Sequence, residues 1–105
     1  MKTAQIRFKA KIQHVYNMDD TLAYSYVPVP LLTRSHCDMD AFREHPKYGP
    51  YANSNMFPGM LGRIRKDMFP DIVNGSPVIK IGAIPIGVAI DVSGFLAKIT
   101  ITVPN

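Results

Sequence analysis

The clearest pattern in the sequence is an alternation of apolar and polar residues close to its start. A period of two places one set of side chains on one face of a β-strand and the other set on the opposite face. A helix would scatter the same apolar residues around its cylinder. We therefore predict a strand with a buried apolar face and a solvated cationic face. The apolar set is Ile6, Phe8, Ala10 and Ile12, and the polar set is Arg7, Lys9, Lys11 and Gln13.

A turn and a second strand follow this first strand. Residues 17–21 are rich in Asn and Asp, whose short side chains bond to nearby backbone and tolerate left-handed geometry. Residues 22–27 are again β-prone, so residues 5–27 are predicted to form an N-terminal β-hairpin. Pro28 and Pro30 lack backbone N–H groups, which predicts that the ladder ends there at an edge or an extended exit.

Two short helices are predicted in the middle of the chain. Ser35 and Asp38 fit a degenerate capping box before a first helix, which Pro46 would stop. In the second helix, Gly59 and Gly62 each weaken the helix by about 1 kcal/mol relative to Ala, so it needs packing against other elements. Its apolar residues recur at spacings of three and four, and these are Phe57, Met60, Leu61, Ile64 and Met68.

The final third of the chain has the composition of strands. From Ile84 to Val92 the even positions are large and the odd positions are small, which predicts a strand with one bulky buried face and one flat face. The segment Asp91–Gly94 is predicted to turn. From Phe95 to Val103 a strict alternation predicts a last amphipathic strand.

The order of these elements predicts an α+β fold in one domain over residues 1–105. The N-terminal hairpin and the C-terminal strands would join an antiparallel or mixed sheet, covered on one face by the two short helices. The 105 residues and 11.7 kDa leave room for a single thin core. The 47% of hydrophobic residues is typical of a globular protein.

Composition also excludes several classes. A single Cys rules out an internal disulfide framework and a Cys-rich zinc module. No apolar run approaches the roughly 18 residues of a membrane span. The first residues lack the apolar stretch of a signal peptide, so a cytoplasmic location is expected, or the virion if the chain is viral. The net charge of +4 permits an anionic partner without requiring one.

The polar sides of the first and last strands are the first candidate site. Arg7, Lys9 and Lys11 lie on one side of the first strand, and Lys98 lies on the polar side of the last. If these strands pair, the cations form one basic face for an anionic partner, for which nucleic acid is the alternative hypothesis. A plain solvated face explains the same pattern, because like charges about 7 Å apart in water repel by only about 0.6 kcal/mol.

A second candidate site is a protein–protein interface near the second helix. Tyr and Arg are frequent anchors of such interfaces, although the same aromatic residues would also cover a thin core. The candidates are Tyr48, Tyr51, Phe57, Arg63 and Arg65.

No arrangement of residues indicates catalysis. Cys37 has His36 beside it and His45 eight residues on, about 12 Å along a helix, so neither a catalytic dyad nor a metal site is expected. Phosphate-binding loops, dinucleotide fingerprints and nucleophile elbows are absent from the sequence. We expect a non-enzymatic binding or assembly protein without cofactor or metal, acting on a protein partner or on itself. A redox or metal role for Cys37 is the third hypothesis.

Overall fold

The computed structural model describes residues 3–105, which form an α+β fold with strands at both ends, as predicted. Two antiparallel sheets share one apolar core with two helices. Short 3₁₀ turns at Arg34–His36 and Gly49–Tyr51 precede the helices. The strands are β1 Ala4–Lys11, β2 Gln13–Tyr16, β3 Leu22–Pro28, β4 Ile72–Val73, β5 Ser76–Lys80, β6 Val88–Ser93 and β7 Leu96–Val103, and the helices are α1 Met39–Glu44 and α2 Phe57–Met68.

The predicted hairpin of residues 5–27 is only partly correct. β2 does pair with β3, but β1 pairs along its whole length with β7. One sheet therefore has the order β1-β7-β6 and the other the order β2-β3-β5-β4. The Ile12 N–H extends the first ladder by donating to Phe95 O at 3.0 Å, and the chain then passes into the second sheet. The N-terminal segment thus contributes to both sheets.

The turn at the end of β2 forms as predicted. Asn17 N–H donates to Thr21 O at 2.8 Å, and Asp20 adopts a left-handed φ of 68°. The Asp19 carboxylate accepts hydrogen bonds from the hydroxyl and the backbone N–H of Thr21, and these bonds lower the pKa of Asp19. Met18, at the tip, is fully exposed.

The predicted faces of the first and last strands of the chain are confirmed. Ile6 and Phe8 are buried, whereas Arg7 and Lys9 are exposed. In β7 the odd-numbered residues face the core in the same way. The core continues under both helices. Its members include Ala4, Ile6, Phe8, Val27, Phe42, Phe57, Leu61, Ile64, Phe69, Ile79, Ala97, Ile99, Ile101 and Val103.

Both helices form where the sequence placed them. Asp38 caps α1 by accepting a hydrogen bond from Ala41 N, while Ser35 lies in the preceding 3₁₀ turn. Helix α2 begins at Phe57, and Pro58 is tolerated in its first turn. Neither helix within residues 3–105 has the length and apolar character needed to cross a bilayer.

The strand predicted over residues 84–92 begins only at Val88. Gly82 and Gly87 have positive φ angles of 99° and 84°, and Pro85 lies between them, so the backbone turns before the strand starts. Ile84 and Ile86 are exposed rather than buried, Ile86 to 98%. The hairpin between β6 and β7 turns at Gly94 and Phe95, two residues later than the centre of the predicted turn.

Candidate interaction surfaces

The first surface is a basic face on the sheet β1-β7-β6, opposite the core. Pairing of β1 with β7 places Lys9 directly across from Lys98 and Arg7 across from Thr100. Lys11 lies further along the same side of β1, and its ammonium group is 5.6 Å from the centre of the Phe95 ring. The structure therefore brings together Arg7, Lys9, Lys11 and Lys98, all of them exposed.

The closest charges on the basic face repel one another. Ile12 and Phe95 are a hydrogen-bonded pair of the β1–β7 ladder, so by alternation Lys9 and Lys98 are a non-hydrogen-bonded pair, the closer type. Like charges directly opposite destabilise a sheet. Within residues 3–105 neither lysine has a carboxylate oxygen within 4.0 Å. An anion bound between them would relieve this repulsion.

A shallow depression of about 440 Å³ lies over the basic face. Asp91 of β6 is across from Lys98 and supplies one negative charge at its rim. The depression is open to solvent and holds charges of both signs, so its geometry suits a group of an extended partner better than an enclosed small molecule. Its outward side chains are Arg7, Lys9, Ala89, Asp91, Lys98 and Thr100.

The second surface is the free edge of β6. Thr102 N–H donates to Gly87 O at 2.7 Å, so the odd-numbered residues from Gly87 onward bond to β7. The backbone groups of Ile90 and Val92 consequently point away from the sheet. Exposed apolar side chains accompany this edge, with Val92 exposed to 48%. The sequence missed this surface because it assigned residues 84–92 to a strand with a buried face.

The predicted interface near α2 is not a single surface. Phe57 is completely buried and packs edge-on against Phe42, with ring centroids 5.3 Å apart. The Arg65 guanidinium donates to Val29 O at 2.7 and 3.2 Å, and these hydrogen bonds join α2 to the residue that follows β3. Phe57 is therefore not available for an interface, because it is buried with the apolar stripe of α2. Arg65 is partly exposed, and its place in an interface stays a prediction.

The remaining interface candidates lie in separate places. Tyr51 and Arg63 line one open groove beside Met56 and Met60. Tyr48 packs its ring against His45, with centroids 4.9 Å apart, and lines a different depression near the end of β7. No described contact joins the two places.

The Cys and His residues do not converge. His45 is buried and hydrogen-bonded to Pro104 O, Lys47 N and Tyr48 N. The Cys37 thiol donates to Thr33 O at 3.3 Å. Burial raises the pKa of Cys37 to about 11, and the nearby charge of Arg34 opposes this only in part. In the described part of the chain, no group of three or more His, Cys, Asp or Glu side chains is arranged to hold a metal.

Comparison with known proteins gives this chain no relative. No protein-family model, curated protein or solved structure matches it.

Proposed function

We propose that this chain is a non-enzymatic assembly or accessory protein that acts through protein–protein contacts, first among copies of itself. The observation that carries the proposal is the β6 edge, where outward backbone groups and exposed apolar side chains occur together. Monomeric proteins usually protect such an edge with charges, prolines or a covering segment. Here Val92 and Ile86 remain exposed beside it.

The test is the molar mass in solution, measured by light scattering after size exclusion. We expect a multiple of 11.7 kDa that persists at high salt, because apolar burial and backbone hydrogen bonds resist screening. Val92→Lys should reduce the mass to that of one chain, since a charge on an edge strand opposes pairing.

Met18→Lys is the matched control for the mass measurement. It adds the same charge at an exposed apolar residue on the turn after β2, so the mass should not change. A single-chain mass for the unmodified protein at every concentration would contradict the proposal. An unchanged multimeric mass in Val92→Lys would instead move the contact away from β6.

A second candidate function is nucleic-acid binding by the basic face. It is favoured by the direct opposition of Lys9 and Lys98, neither of which has a carboxylate oxygen within 4.0 Å among residues 3–105, although Asp91 lies across from Lys98. The phosphates of a single strand would neutralise these lysines, and Arg7 would contribute a further contact.

Fluorescence anisotropy with a labelled single-stranded oligonucleotide tests this second function across a salt series. We expect Lys9→Ala with Lys98→Ala to reduce the salt slope by about 1.4, since each phosphate contact of a single strand contributes about 0.7. The control pair Lys47→Ala with Lys66→Ala removes the same charge from exposed residues elsewhere. Equal effects of the two pairs, or no binding by the unmodified protein, would reject the function.

A further inference from the structure

The free edge of β6 restricts how another strand can pair with it. Because Gly87 bonds to β7, residues 89, 91 and 93 also point their backbone groups inward to that strand. The outward groups belong to residues 88, 90 and 92. Val88 N–H is engaged by Pro85 O at 3.3 Å, so the outward donors are Ile90 and Val92. Any strand that adds to this edge must bond to these even-numbered residues.

We propose that two copies of this chain join through β6 as antiparallel strands, with Ile90 of each copy opposite Ile90 of the other. This inference rests on the proposed self-association and specifies its geometry. A twofold axis at Ile90 lets the two Ile90 residues exchange both of their backbone hydrogen bonds. Val92 N–H of each copy then donates to Val88 O of the other. This arrangement uses the outward groups of the strand over its full length.

Charge selects this register over the adjacent symmetric one. With the axis at Ile90, Asp91 of one copy lies across from Ala89 of the other, and no charges of the same sign are directly opposite. Moving the axis by one residue, to Asp91, would place the two Asp91 carboxylates face to face, which destabilises a sheet. Both registers use the outward backbone groups of Ile90 and Val92, so the charge of Asp91 decides between them.

Side chains on the core side of β6 support the same pairing. Val88 and Ile90 are only half-buried and Val92 is exposed, because the helices do not cover this edge. In the proposed register, Val88 of one copy lies across from Val92 of the other, beside the Ile90 pair. Cross-strand pairs of β-branched residues stabilise a sheet. The result is a continuous six-stranded sheet that carries the basic faces of both copies on one side.

Disulfide mapping tests the register in a Cys37→Ser background, which leaves no native thiol. Ala89→Cys and Asp91→Cys are both changes at exposed positions, so each variant should fold. When the two variants are mixed, their cysteines face each other at about 4.5 Å between Cα atoms, within disulfide range. Each variant alone places its own cysteines roughly 8 Å apart, beyond that range.

We expect a cross-linked dimer on mild oxidation of the mixture, and at least tenfold less cross-linking of Ala89→Cys alone. A mixture of Ala89→Cys with Ser93→Cys keeps Asp91 in both copies, and its efficient cross-linking would indicate an axis at Asp91 and overturn the register. No cross-linking in any sample, while the unmodified chain has a multimeric mass, would overturn the β6 pairing but leave self-association standing. A single-chain mass for the unmodified protein would overturn both.

Discussion

At the scale of single residues, two arginine side chains next to the core satisfy backbone carbonyl groups. Arg34 donates to Ala52 O and Ser54 O at 3.2 and 2.7 Å, and its guanidinium lies 5.0 Å from the centre of the Phe57 ring. It thereby fixes the loop that leads into α2. Arg65 has the same kind of role at the end of β3. Charged hydrogen bonds of this type are worth more than neutral ones because the donor is ionised.

Cys37 gives a prediction at this scale. The folded state holds the pKa of the thiol above its ordinary 9.0, at about 11, chiefly because the thiol is partly buried. The folded protein therefore retains the neutral thiol near pH 8, and iodoacetamide should react with it far more slowly than with the same residue in urea. The reaction should accelerate as the pH approaches 11.

The same shift makes stability depend on pH in one direction. Since the folded pKa is raised, the contribution of the Cys37 thiol to the free energy of unfolding is complete below pH 9.0 and is lost as the pH rises towards 11.

Mass spectrometry of the alkylated protein follows the reaction of Cys37 with iodoacetamide. Rapid modification of the folded chain at pH 7 would show that the thiolate is accessible, and would revive the redox hypothesis.

At the scale of elements, His45 joins the end of α1 to the end of the chain. Its Nε2 donates to Pro104 O at 2.8 Å, and its Nδ1 accepts from the backbone of Lys47 and Tyr48 at 3.1 and 3.2 Å. A carbonyl can only accept, so the ring is the neutral tautomer with its proton on Nε2. One buried side chain thus ties a helix terminus and the following loop to the residue after β7.

His45→Ala should be strongly destabilising. It leaves a cavity and removes the partners of the Pro104 carbonyl and two N–H groups, for a combined loss of about 2–4 kcal/mol in the free energy of unfolding. Denaturant unfolding measures this loss. His14→Ala is the control, because His14 is exposed and bonds only to Ser25 Oγ among described residues. A change below about 0.5 kcal/mol for both variants would contradict the structural role.

At the scale of the whole molecule, the chain is elongated, with extents of 52 × 26 × 21 Å. Both sheets share one core, and the two short helices are too small to cover the core-facing side of every strand. Within the sheet β1-β7-β6, burial is greatest along β1 and β7 and least along β6. This uneven cover leaves an apolar edge exposed on the same sheet as the basic face, so assembly at β6 would bring two basic faces together.

The sequence alone was sufficient for the features that depend on local patterning. The alternation in β1 and β7 identified the buried and solvated faces, because adjacent residues of a strand must point to opposite sides. The turn at residues 17–21 and the positions of both helices also followed from short-range chemistry. The basic face was predictable to the extent that pairing of the first and last strands was assumed.

Tertiary structure alone decided which strands pair and which apolar residues are covered. β1 could have continued the hairpin with β3, but it pairs with β7, about 90 residues away, where two half-buried strands match over their full length. Hydrophobic residues at 57 and 86 look equally suited to burial, yet Phe57 is enclosed and Ile86 is exposed. Hydropathy records the tendency of a side chain to leave water, whereas burial also requires a neighbour to cover it.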